Sequence, residues 1–116
     1  MEHGARRAAA YVVARAASGQ NASAIYDYET GSYHNFSGQV GDRVNVYDYT
    51  RGNYLTGPLN SLYDYAQGNY LQIKARGGGR YSGYDYGSGQ YFEARVRGRS
   101  VNLYDYETGS YYDFQI

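Results

Sequence analysis

The chain has 116 residues, with 11 Lys and Arg against 11 Asp and Glu, so its formal charge at pH 7 is zero. One domain is expected at this length, and the absence of cysteine excludes disulfides, zinc ribbons and thiol catalysis. Bulk charge gives no reason to expect a nucleic-acid partner, and no apolar run approaches the ~20 residues of a membrane-spanning helix.

Residues 1–22 form the first segment. Arg6-Arg7 ahead of Ala8–Ala14, with Ala22-Ser23-Ala24 beyond, has the outline of a secretion signal. Arg15 cuts that apolar stretch short, and Ala5–Ala17 is rich in the best helix-forming residue. A short helix about 20 Å long, ending near Ser18-Gly19, is the favoured reading.

Residues 23–116 are governed by a repeat. Tyr-Asp-Tyr occurs at 26–28, 47–49, 63–65, 84–86 and 104–106, each followed by two residues, a Gly, one residue and a Tyr. This pattern accounts for most of the 18 Tyr in the chain and many of its 16 Gly. A β-hairpin per repeat is the physical reading, with Gly at the tight position and β-favouring residues on both flanks. A four-residue loop, Tyr28-Glu29-Thr30-Gly31 in the first repeat, sets Tyr26 opposite Tyr33 and Ile25 opposite His34. A three-residue loop would put Asp27 opposite Tyr33 and mix the faces. Gly31, Gly52, Gly68, Gly89 and Gly109 then take a left-handed conformation. Asp27, Asp48, Asp64, Asp85 and Asp105 accept hydrogen bonds from loop N–H groups, a structural task rather than a metal-binding one.

This register gives the sheet two unlike faces. One carries Ile25, Phe36, Val44, Val46, Leu55, Leu62, Leu71, Ile73, Phe92, Ala94, Val96, Val101, Leu103, Phe114 and Ile116. The other carries Tyr26, Tyr33, Tyr47, Tyr54, Tyr63, Tyr70, Tyr84, Tyr91, Tyr104 and Tyr111. Short connections imply a sequential antiparallel meander of about ten strands. Its edges are best hidden by closure, so the predicted fold is mainly β: a closed barrel, plugged or capped by the N-terminal helix.

No catalytic constellation is visible and an enzyme is not expected. His3 and His34 lie in no metal-ligand spacing, and His34 reads as a partly buried histidine with its hydrogen bonds satisfied. Gly77-Gly78-Gly79 lacks the Lys-Ser/Thr of a phosphate loop. No metal or other cofactor is implied. The tyrosine face is the first candidate site, since flat rings with a hydroxyl rim suit sugars, proteins or bases. The second is a basic strip: Lys74, Arg76, Arg95, Arg97 and Arg99 are read onto the tyrosine face, on strands about 10 Å apart.

The repeats resemble bacterial tyrosine-rich hairpin repeats of the YD and choline-binding types. The present loop has three residues between Asp and Gly where the YD pattern has two, and the chain has no Trp. The likeness is one of hairpin design and transfers no ligand-binding residue. The leading functional expectation is a non-enzymatic binding module that lays its aromatic face on an extended ligand such as carbohydrate. The alternatives are a structural, self-associating β-repeat protein, or weak binding of an anionic polymer such as single-stranded nucleic acid at the basic strip. No membrane partner is expected, and the sequence indicates no compartment.

Overall fold

A computed structural model describes residues 1–116. The helix α1 (His3–Ser18) precedes ten strands: β1 (Ala24–Asp27), β2 (Ser32–Val40), β3 (Arg43–Asp48), β4 (Asn53–Pro58), β5 (Leu62–Asp64), β6 (Asn69–Gly77), β7 (Arg80–Asp85), β8 (Gln90–Arg97), β9 (Ser100–Asp105) and β10 (Ser110–Gln115). Each strand pairs antiparallel with its sequence neighbours, and β1 closes on β10 to complete a barrel. The meander and its closure are as the repeat predicts.

Register follows from the turn. Tyr26 faces Tyr33 and Ile25 faces His34, and the same Tyr–Tyr pairing recurs as 47 with 54, 63 with 70, 84 with 91, and 104 with 111. In the first turn Gly31 has φ +69°, and its N–H donates to the Asp27 carbonyl at 2.8 Å. A Cβ at Gly31 would lie 4.0 Å from the Tyr26 hydroxyl, so that ring lies over the turn.

Every residue assigned above to the aliphatic face is buried. Tyr81, which was given no place in that face, joins them inside. Repeat four breaks the volume pattern, since Gly83 occupies the inward position that holds Ile, Val or Leu in the other repeats. Its cross-strand partner is Phe92, whose ring would lie 2.2 Å from a Cβ at Gly83. The larger ring fills the space the smaller residue vacates, which keeps the packing dense.

The barrel bore is filled by α1. Ten strands enclose more than side chains alone can fill, and a helix of 16 residues is about 24 Å long. Ala5, Ala8, Ala9, Ala10, Tyr11, Val12, Val13 and Ala14 are fully buried against the barrel wall. The short alanines let the helix fit the bore, while Tyr11 stacks on Phe36 with ring centroids 4.3 Å apart. Gly19, at φ +68°, ends the helix and donates its N–H to the Arg15 carbonyl at 3.0 Å.

Candidate functional site

In a meander every second connection lies at the same end, so all five Tyr-Asp-Tyr turns crowd the end where α1 begins. There each aspartate uses one oxygen locally. Oδ1 accepts the N–H two residues on, from Glu29 at 2.9, Thr50 at 3.1, Ala66 at 3.1, Gly87 at 3.0 and Glu107 at 2.9 Å. The five carboxylates are fully buried, so the predicted turn role holds.

The second oxygen does what the sequence did not reveal. Asp105 Oδ2 lies 3.2 Å from the Met1 amino group and 3.1 Å from Arg6 Nη1. Asp27 Oδ2 takes His3 Nε2 at 2.8 Å and Arg7 Nη1 at 3.5 Å. Arg51 spans two repeats, reaching Asp48 Oδ2 at 2.6 Å and Asp64 Oδ2 at 2.8 Å. Arg6 and Arg7 are buried cations that tie the plug to the barrel. Asp85 differs: its Oδ1 also takes Gln67 Nε2 at 2.9 Å, but no protein donor reaches its buried Oδ2.

Burial raises the pKa of Asp27, but the His3 hydrogen bond, the Glu29 N–H and the charges of His3 and Arg7 outweigh it and hold the group below its usual value. Burial acts against the charged Met1 amino group, yet Glu107 and Asp105 raise its pKa. His3, Asp27 and Glu29 bring three metal-type ligand atoms within 4.8 Å of one another. Arg6 at 3.0 Å from Glu29 and Arg7 beside Asp27 already engage those carboxylates, so the cluster is an ion-pair lock on α1. His34 is partly buried beside Thr30 and Thr50 at 3.0 and 2.9 Å, a satisfied histidine as expected.

The outward tyrosines form a belt at this end. The first Tyr of each motif is half-buried and packs on two others: Tyr26 meets Tyr28 and Tyr33 edge-on, each at 4.9 Å between centroids. Tyr47, Tyr63 and Tyr84 repeat the arrangement at 4.6–4.8 Å. The fifth trio centres on Tyr104, with Tyr106 and Tyr111 each at 4.8 Å. Tyr28, Tyr49, Tyr65, Tyr86 and Tyr106 thus belong to the belt as well, and the i, i+2 spacing of Tyr-Asp-Tyr is the signal for it. Backbone bonds stitch the trios together: the N–H groups of Tyr65, Tyr86 and Tyr106 donate to the carbonyls of Tyr54, Tyr70 and Tyr91 at 3.0, 3.1 and 3.2 Å.

The five residues of the basic strip fall in two places. Lys74, Arg76, Arg95 and Arg97 are exposed, and none of them lies within ion-pair distance of a carboxylate. Arg99 is a correction. β8 ends at Arg97, Gly98 reverses the chain at φ +59°, and strand alternation no longer applies. Arg99 turns to the far end, donating from Nε to the Ile116 carbonyl at 2.8 Å and from Nη1 to Gln20 at 3.1 Å. The formal neutrality also proves to be partitioned. Asp85, which offsets the strip in the sequence, is buried, leaving Glu93 as the one exposed carboxylate among residues 74–99.

No family model, curated protein or solved structure matches this chain.

Proposed function

We propose that this protein is a non-enzymatic binding module whose outward tyrosine belt engages an extended ligand, carbohydrate first. The observation that carries the reading is the exposure of ten belt tyrosines, from 47 % at Tyr70 to 70 % at Tyr33, two in each of five trios built on a half-buried third ring. A contiguous aromatic surface on a small protein is unusual and often marks an interaction site. Each ring offers an apolar face to a sugar's C–H groups and a hydroxyl to its oxygens. Because the rings within each trio buttress one another, they have little freedom left to lose on binding. α1 occupies the bore, so the outer wall is the surface open to a polymer.

A bilayer-spanning barrel needs an outward apolar band about 25 Å tall. Beyond the belt the exposed wall positions include Asn35, Ser37, Asn45, Gln72, Glu93, Asn102 and Asp113, which supports leaving the membrane out of this reading. Self-association through the belt is the second reading, resting on the same exposed rings. Glycan-array binding lost in the Tyr70→Ala, Tyr91→Ala double variant supports the first reading, and binding to no glycan overturns it. Light scattering separates the second, since a monomer at high concentration removes it.

A further inference from the structure

We infer that the glycan is acidic, and that Arg76, Arg80 and Arg95 form the subsite for its carboxylate or sulfate groups. This inference rests on the carbohydrate reading above. β6, β7 and β8 are neighbours, and Arg80 stands directly across from Arg95 in the ladder. Like charges directly opposite one another destabilise a sheet. Here Arg76 lines the same outer groove as that pair, together with Ser82, Glu93, Asn102, Tyr104 and Tyr111. Of the three, only Arg76 makes a side-chain hydrogen bond, donating from Nε to Ser82 Oγ at 2.8 Å. Three guanidiniums around one groove, none within ion-pair distance of a carboxylate and together outnumbering Glu93, are arranged for an external anion, which their planar forks bind in bidentate fashion.

Glu93 selects among anionic polymers. Down β8 the outward residues run Tyr91, Glu93, Arg95, Arg97, all exposed. A strand advances about 7 Å over two residues, so a ligand laid from the belt meets a ring, then an acceptor, then guanidiniums. Glu93 accepts a hydroxyl, which every unit of a glycan carries beside its acidic group and which the internal sugars of an oligothymidylate lack. A glycan can place a hydroxyl there and its acidic group beside Arg95. The hydroxyl and amide groups of Ser82, Tyr104, Tyr111 and Asn102 in the same groove suit sugar hydroxyls.

Titration calorimetry of the full chain tests this with polygalacturonate and its methyl ester, dextran sulfate and dextran, and an oligothymidylate. At least one charged glycan binds, the neutral parent binds about tenfold more weakly or worse, and added salt weakens the charged complex. Arg80→Ala with Arg95→Ala abolishes the preference at unchanged circular dichroism, and Arg→Lys at both positions restores part of it. Preference for carboxylate or for sulfate identifies the acidic group. Equal binding of charged and neutral forms overturns the acidic assignment and leaves the carbohydrate reading standing. Oligothymidylate as the tightest ligand, or no binding to any of the five, overturns both.

Discussion

The guanidinium of Arg51 lies 2.8 Å from the Asp64 carboxylate, thirteen residues downstream in the next repeat. The same side chain holds its own turn's Asp48 at 2.6 Å. It fastens two adjacent hairpins where their buried charges would otherwise repel. Replacing it by Met leaves two buried carboxylates without a cation, a loss of about 3–5 kcal/mol for breaking such a pair. Urea denaturation checks this, and a midpoint within error of the parent would show that the clasp adds nothing.

Asp85 and Asp105 respond oppositely to the same change. Asp105→Asn removes the charge that holds Arg6 and the Met1 amino group, and destabilises strongly. Asp85→Asn keeps an oxygen for the Gly87 N–H and for Gln67 while removing a buried charge that has no cation. The expected result is unchanged or higher stability. The position three residues after each Asp explains the difference: Arg51 and Gln67 reach the next repeat's Asp, whereas the Ser88 hydroxyl is buried without a partner.

Acid unfolding proceeds in two stages. Burial and the Arg7 charge lower the pKa of His34 from 6.5, so its contribution is present above pH 6.5 and is lost as pH falls through the folded value. Asp27 is also held low, so its contribution persists to lower pH and disappears as pH drops beneath 3.8. His34→Gln removes the upper stage and leaves the lower one, which melting temperatures across pH 2–8 will display.

At alkaline pH the interior phenols set the limit. Burial raises the pKa values of Tyr11 and Tyr81 above 10.0, so their contribution is complete below that pH and is lost as pH climbs through the folded values. In ultraviolet titration the Tyr11→Phe and Tyr81→Phe variants should each lose a phenol that ionises above pH 10.0. Ionisation of every tyrosine in one wave before unfolding would contradict their burial.

Tyr11→Ala opens a cavity beside Phe36 and also removes the hydroxyl that donates to the Ala22 carbonyl. Aromatic truncations of this kind cost about 3–5 kcal/mol. The variant should melt far below Val40→Ala, which changes a partly buried site at the rim. Calorimetry compares the two directly.

The residues themselves determine the hairpins, their register and the two faces. Alternation has a period of two, and Asp27 to Gly31 fold their turn through contacts within five residues, so Val46 and Tyr47 point opposite ways whatever surrounds them. Closure of the barrel decided the rest. It brings Arg6 to Asp105 across 99 positions, leaves Asp85 without a cation, and gathers Arg76, Arg80 and Arg95 around one groove. Alternation assigns a side chain to a face, but which charges then meet depends on strands wrapped around a common axis and on a helix threaded through it. Local spacing carries no trace of those distances.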